Sequence, residues 1–397
     1  MSGPAAGDRG SPPDRHGDTL AVYEARAADW ERRRPPRLDG ARAFTAEVGP
    51  GAQGPPGAVV DLGCGPGWHL PVLPAGTVAV DGAAAMLHRV PSHAPRAPRA
   101  QADLRALPFR RHALRAAWAN KSYVHLRRSL VPMALWDLHR ALAVGGVAHL
   151  GLFGGDREHE GFDADEFAGR SFSLWPEPLL RDVLAGAGFD LLSLEAPDAD
   201  RGDEVPYLLA RLRRERTLAD TVGPGMRLLL VGLNPSLHAA DRGVGFSGPS
   251  NRGWPALLAA GLATVGRDPV ALLVDHGIGM TDLVKRATAR ASELSDEEYR
   301  EGLGRLERLC AWLQPAAVCM VGLGGWRAAV DRRATAGEQE RTLGGRPVWV
   351  MPNTSGLNAH AGLDDLAGHL RAAAALADRY GGGPTGRMRQ TGGMRHE

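Results

Sequence analysis

The sequence predicts an α/β protein of two domains, each built on a mainly parallel sheet. Three observations predict it. An apolar run breaks into a glycine-rich turn in AVVDLGCGPGW at Ala58–Trp68. A second apolar run does the same in RLLLVGLNPSL at Arg227–Leu237. Between them lie the acidic EAPDADRGDEVPY at Glu195–Tyr207 and the charged RLRRERTLAD at Arg211–Asp220, which read as a boundary near Arg213–Asp220. The chain of 397 residues has room for two such cores. The Gly/Pro/charge-rich ends, residues 1–17 and 380–397, read as disordered tails. The expected domains are therefore residues 18–212 and 213–379.

Composition excludes several classes. The formal net charge of +2 announces no dominant electrostatic partner. The cations are almost all arginine, with Lys121 and Lys285 the two lysines; arginine supplies forked donors that suit phosphate. Three cysteines, Cys64, Cys310 and Cys319, are too few for a disulfide framework or a four-cysteine cluster. No apolar run reaches the ~18 residues of a membrane span, and the N-terminus lacks the apolar core of a signal peptide. The expectation is a cytoplasmic protein without a membrane partner.

In the first half, Val59–Leu62 reads as a short buried strand, followed by Gly63, Gly65 and Gly67 in the pattern D-x-G-x-G-x-G from Asp61. A dinucleotide fingerprint needs glycine or alanine where Trp68 stands, which disfavours NAD. Glycines let backbone approach a ligand closely, and the next helix turns its N-terminus toward an anion. A second strand, Thr77–Val80, ends in Asp81, eighteen positions after Gly63, where a carboxylate suits ribose hydroxyls. In QADLRALPF, Asp103 follows a short segment and can accept from an adenine amino group. HRALAVGGVAHLGLFG at His139–Gly154 reads as helix, Gly-Gly turn and strand. NKSYVHL at Asn120–Leu126 reads as a strand end with a satisfied Tyr and His, in a region where acceptor-side residues also lie.

From Tyr23 to Leu194 this order resembles the class I S-adenosylmethionine-dependent methyltransferases. The resemblance implies a Rossmann-like sheet and S-adenosylmethionine as cofactor. It assigns Asp61, Gly63, Gly65 and Gly67 to the methionine end, Asp81 to the ribose, and Asp103 with Leu104 to the adenine. The methyl acceptor is unknown: neither a Pro-Cys nucleophile loop nor an Asn/Asp-Pro-Pro-aromatic motif is present.

In the second half, three apolar runs end in polar or glycine-rich turns. Arg227–Val231 runs into GLNPS, Ala316–Val321 into GLGG, and Pro347–Met351 into Pro352-Asn353. In open α/β sheets ligands bind beyond the strand C-termini, so Asn234 and Asn353 are expected at one cleft. Uncharged amides orient a water or hold a polar ring edge. The loop MPNTSGLNAH carries one apolar side chain, Leu357, amid polar neighbours; a wedge of this kind enters a base stack when a base is extruded.

These blocks resemble the mismatch-specific uracil/thymine-DNA glycosylases, family 2 of the uracil-DNA glycosylase superfamily. GLNPS at Gly232–Ser236, FSGPSNRGW at Phe246–Trp254, GIGMTDLVKRATARASEL at Gly277–Leu294 and MPNTSGLNAH follow in the family's order. The resemblance implies an α/β/α parallel sheet and a monofunctional hydrolase acting on double-stranded DNA with mismatched uracil. Asn234 would hold the attacking water, Phe246 would stack on the flipped base, and Asn353 would line the base pocket. Gly356 and Leu357 would form the wedge, with Ser355, Asn358 and His360 at the DNA backbone or the widowed guanine. No cofactor, metal or iron–sulfur cluster is implied for this half. Three departures stand out: Thr354 for a proline, Ser236 for a glycine, and Gly253 for an aromatic.

The leading expectation is a bifunctional fusion serving base excision repair. The alternatives are a methyltransferase with a non-catalytic DNA-binding tether, and a working glycosylase with a cofactor-sensing module.

Overall fold

The computed structural model describes residues 16–33, 37–49, 54–162, 165–197, 205–356 and 361–381. The first unit runs α1 (His16–Arg33), α2 (Asp39–Val48), β1 (Ala58–Leu62), β2 (Val78–Asp81), α3 (Ala84–Leu87), β3 (Arg99–Gln101), β4 (Leu114–Asn120), α4 (Val131–Ala141), β5 (Leu142–Phe153), α5 (Glu177–Gly186), β6 (Phe189–Glu195) and β7 (Tyr207–Arg214). Its sheet has the order β3-β2-β1-β4-β5-β7-β6. The pairs from β3 to β5 are parallel, and β7 is antiparallel to both β5 and β6. The strand order reverses between β1 and β4, and the crevice at such a reversal is where ligands bind.

The second unit runs β8 (Leu228–Gly232), α6 (Leu237–Arg242), α7 (Gly253–Ala259), α8 (Pro269–His276), β9 (Ile278–Asp282), α9 (Asp296–Leu313), β10 (Ala317–Val321), α10 (Leu323–Ala329), β11 (Gly337–Leu343), β12 (Arg346–Met351) and α11 (Leu363–Gly381). Its order is β11-β12-β10-β8-β9, parallel except for the antiparallel edge strand β11. β8 and β10 are buried along their whole length because helices cover both sheet faces. Their side chains divide between two cores. Leu228 and Leu230 pack with α7 and α11, while Leu229 and Val231 pack with α9 and Trp326. The sheet reverses between β8 and β10, so the turn carrying Asn234 opens at the reversal.

Several expectations shift. β7 continues two residues past the expected boundary, to Arg214, because Arg213 and Arg214 still pair with β6. His16 and Gly17 open α1, and Tyr380 and Gly381 close α11; the rest of both expected tails lies outside the described residues. The Gly145-Gly146 turn sits inside β5 rather than before it. Leu142 already pairs with Leu114, and the register resumes at Val147 opposite Ala116, leaving the glycines as a bulge. β9 and β11 were not read as strands; β9 lies within the block read as a motif. Among the described residues no helix is long and apolar enough to cross a membrane.

The connection between the sheets is bonded on both sides. Asp220 donates its backbone N–H to Gly186 O at 2.8 Å, and Thr221 exchanges hydrogen bonds with Met280 of β9 at 3.0 and 2.9 Å. The buried Asp220 carboxylate receives Lys285 Nζ at 2.7 Å, Arg305 Nη1 at 2.9 Å and Thr281 Oγ1 at 2.6 Å. Two cations and a hydroxyl hold Asp220 below the ordinary carboxylate range although burial alone raises it.

Candidate active sites at the strand ends

The first candidate site lies at the C-terminal ends of β1, β2 and β3. Asp61, Asp81 and Asp103 stand on or just beyond three neighbouring strands, so the sheet brings together what the sequence spaces over 42 positions (103 minus 61). Asp81 joins two elements: its Oδ2 accepts from Gly65 N at 2.8 Å and its Oδ1 from Ala83 N at 2.9 Å. Gly63, Gly65 and Gly67 all have positive φ, a loop shape that side chains resist. Burial still lifts the Asp81 carboxyl to about 6.

Asp61 is 1% exposed, and its Oδ2 has no hydrogen-bond partner. Burial, followed by the nearby Asp81 carboxylate, raises it to about 8. A buried carboxyl left without a partner is a place for a cation. The α-ammonium of S-adenosylmethionine supplies one, so the acidic cradle fits that cofactor. Asp103 is engaged by Arg105, whose Nη2 lies 2.7 Å from its Oδ2. Leu104 is 9% exposed and packs into the core with Leu107, so its side chain faces inward.

α1 covers this end of the sheet. The Glu24 carboxylate accepts from Ala85 N at 3.1 Å, and Trp30 stacks on Trp68. His125 Nδ1 meets Ser171 O at 2.9 Å, so that nitrogen carries the proton, and Nε2 accepts from Tyr23 OH at 2.8 Å. The expected satisfied histidine is therefore found. The expected satisfied tyrosine is not: Tyr123 OH is buried without a partner, because the 3-10 turn Tyr123–His125 aims it into the core.

The second site is built at the ends of β8, β9, β10 and β12. Asn234 Nδ2 donates to Thr288 Oγ1 at 2.8 Å and to Arg286 O at 3.0 Å. Both bonds use the amide nitrogen, so the oxygen is left for another donor. Thr288 also donates its N–H to Pro235 O, and Leu237 N donates to Thr288 O, which ties the GLNPS turn to the middle block. Ser236, a departure from the family pattern, caps α6 through its side chain, which accepts from Ala239 N at 3.2 Å.

Phe246 has φ +54, a backbone state that bulky side chains rarely adopt. Its ring lies against Gly232: a Cβ there would be 3.6 Å from Phe246 Cζ and would overlap Asp282 Oδ1. Gly253, another departure, makes room for Phe246 in the same way, since a Cβ there would lie 2.9 Å from Phe246 Cβ. Asp282 ends β9 at 9% exposure, and its carboxylate makes no hydrogen bond among the described residues. Burial raises it to about 6. Asp282, Phe246, Thr281 and Met280 line one cleft.

Asn353 stands on the far side of β10, 3.7 Å from where a Gly322 side chain would start. It is not among the residues lining the Phe246 cleft, so the expectation of one cleft for both asparagines holds only in that both follow parallel strands flanking β10. Asn353 Oδ1 accepts from Ser355 N at 2.8 Å and shapes the turn before the expected wedge. Gly356 is pressed against Ser250. Arg252 N donates to Thr354 O at 2.9 Å, and its guanidinium reaches Ala361 O and Ser355 O. Leu357, Asn358 and His360 lie outside the described residues. Sequence reading did not single out Thr288, Asp282 or Arg252. Their positions inside the resembling blocks were the available signal.

Comparison with known proteins supplies the families. The model of the uracil DNA glycosylase superfamily matches residues 219–376, and that of a methyltransferase domain matches residues 59–146. Among solved structures, an S-adenosylmethionine-dependent methyltransferase from Mesorhizobium loti is 20% identical, covers 44% of this chain and 96% of its own, and gives a TM-score of 0.34. The 1,6-didemethyltoxoflavin-N1-methyltransferase of Burkholderia thailandensis is 18% identical, covers 53% and 94%, and gives 0.41. One sheet carries the acidic cradle and the methyltransferase match, the other carries the Asn234 turn and the glycosylase match: the chain is a fusion of a methyltransferase domain with a domain of the uracil-DNA glycosylase superfamily.

Proposed function

We propose that the C-terminal domain hydrolyses the N-glycosidic bond of uracil paired with guanine in double-stranded DNA, opening base excision repair on the nucleoid. The observation that carries this reading is the held amide of Asn234. Its nitrogen is bonded to Thr288 and Arg286, so its oxygen is free to accept from a water. That water's oxygen bonds to C1′ as the bond from C1′ to the base breaks. The electron pair leaves with the base, which takes a proton from solvent. The sugar passes through an oxocarbenium-like state that needs a positioned nucleophile more than a strong base. An amide is a feeble base, so turnover is slow. Lys285 is bonded to Asp220, which supports release of the base without a Schiff base or strand nicking.

The N-terminal domain transfers a methyl group from S-adenosylmethionine, which supplies an activated sulfonium methyl, to an acceptor still to be found. Asp61 faces the cofactor's ammonium and Asp81 its ribose. A labelled duplex with one G·U pair, treated with alkali after incubation, tests the glycosylase. Cleavage lost in Asn234→Ala supports it. No cleavage by the wild type on G·U, G·T or single-stranded uracil refutes it and leaves the DNA-binding tether.

A further inference from the structure

The cleft beside Phe246 is not built by the glycosylase domain alone. Trp136 of α4, in the methyltransferase domain, lines it together with Leu218 of the connection and Phe246, Met280 and Asp282 of the glycosylase domain. A second contact reaches the same loop from behind. Arg111, in the segment between β3 and β4, donates through Nη2 to Ala240 O at 3.1 Å and Asp241 O at 3.0 Å. These are carbonyls of the last turn of α6, which follows the Asn234 turn and leads into Phe246. Helix-end carbonyls need such donors.

The fit around Arg111 is close. Gly243 caps α6 with φ +68, and any side chain there would overlap the Arg111 guanidinium. Arg216, from the connection, grips the same end of the helix: its Nε and Nη2 lie 2.7 and 2.6 Å from the two oxygens of Asp241. The short segment from Gly243 to Phe246 is thus anchored by two arginines that the glycosylase match does not include. Phe246 holds a strained backbone, and such states persist where the surroundings over-determine them.

We propose that the methyltransferase domain completes the glycosylase's base cleft. Trp136 is its outer wall and sets which base substituents fit, and Arg111 is a positioning residue that fixes the Gly243–Phe246 turn. This rests on the glycosylase reading above. It goes beyond that reading in making the two domains one functional unit, with base selection divided between them. Flat aromatic walls from two domains suit a planar heterocycle, and the wall from α4 is one that a free-standing glycosylase domain lacks.

The test uses the full chain and three variants, Arg111→Ala, Trp136→Leu and Trp136→Phe. The first readout, amide hydrogen exchange, does not depend on catalysis. Gly243 N and Val244 N donate to Ala239 O at 2.8 and 3.2 Å, and Arg111→Ala is expected to speed their exchange while leaving β8 unchanged. The second readout is single-turnover base release against duplex affinity. Arg111→Ala is expected to slow release of uracil by about 10- to 100-fold with duplex affinity little changed, as for a displaced aromatic platform. Trp136→Leu is expected to change the G·U to G·T rate ratio, and Trp136→Phe to restore much of it. Unchanged exchange at Gly243 and Val244 in Arg111→Ala overturns the positioning role whatever the activity. An active wild type whose Trp136 variants keep its rate ratio overturns the shared cleft. A wild type that releases no base refutes the glycosylase and with it the cleft's role, while the exchange readout still decides Arg111.

Discussion

Thr288 Oγ1 accepts a 2.8 Å hydrogen bond from Asn234 Nδ2 across 54 residues of sequence. An asparagine amide is nearly symmetric in shape, so nothing intrinsic decides which end meets a water. Thr288 and the Arg286 carbonyl decide it, because both accept and therefore take the NH2 end. Thr288→Val keeps the shape and removes the acceptor. Uracil release from G·U duplexes is expected to fall about 10-fold or more, with duplex affinity unchanged, as when a reactive group loses its orientation. Thr288→Ser is expected to retain most activity. Equal rates in Val and Ser variants would remove Thr288 from the account.

Gly232 is the meeting point of Asp282 and Phe246. A methyl group there overlaps Asp282 Oδ1 and crowds the Phe246 ring. Gly232→Ala is expected to destabilise the domain by about 1–3 kcal/mol, the usual cost of overpacking. The clash is with the Asp282 carboxylate, so adding Asp282→Ala is expected to recover most of the loss. Thermal melts of the two single variants and the double variant measure that coupling. Additive effects would mean that the two side chains do not share the space.

Arg252 gathers the loop that leads into Leu357. Its backbone N–H bonds to Thr354 O, and its fork reaches carbonyls on both sides of residues 357–360. Arg252→Ala is expected to weaken duplex binding and to speed amide exchange at Ser355. Arg252→Lys keeps the charge without the fork and is expected to behave like the alanine variant. Full binding by the lysine variant would show that Arg252 acts through charge on DNA and not through the loop.

The parts legible in the sequence are those where chemistry compresses into a few neighbouring residues. Asp61 to Gly67 and Gly232 to Ser236 each lie within one turn at a strand end, so strand, turn and ligand-facing group are read together. What stayed hidden depends on contacts between distant segments. Nothing local says that Thr288 will face Asn234, that Arg111 will end against α6, or that Trp136 will reach Phe246. β9 was hidden for another reason. GIGMTD lacks the β-branched run that marks a buried strand, and its place beside β8 is fixed by hydrogen bonds rather than by its own propensity. Asp103 was placed correctly beyond β3, yet its bond to Arg105 depends on side-chain rotation that spacing does not encode.

The unpartnered Asp61 gives a measurable proton. Burial raises its carboxyl to about 8, so the free protein keeps it protonated at neutral pH, whereas an unfolded chain releases that proton near 4. Between those values the folded state binds more protons than the unfolded one, and stability contributed by this site falls as pH rises. Asp61→Asn cannot ionise, so its stability relative to wild type is expected to improve steadily from pH 5 to pH 8. Binding of S-adenosylmethionine reverses the preference, because its ammonium favours the ionised carboxylate. Calorimetric titration near pH 7 in buffers of different ionisation enthalpy is expected to show release of about one proton per cofactor bound, declining above pH 8. S-adenosylhomocysteine has the same ammonium and is expected to release it too. A binding enthalpy independent of buffer would mean that the ammonium does not meet Asp61, and the acidic cradle would then need another cation.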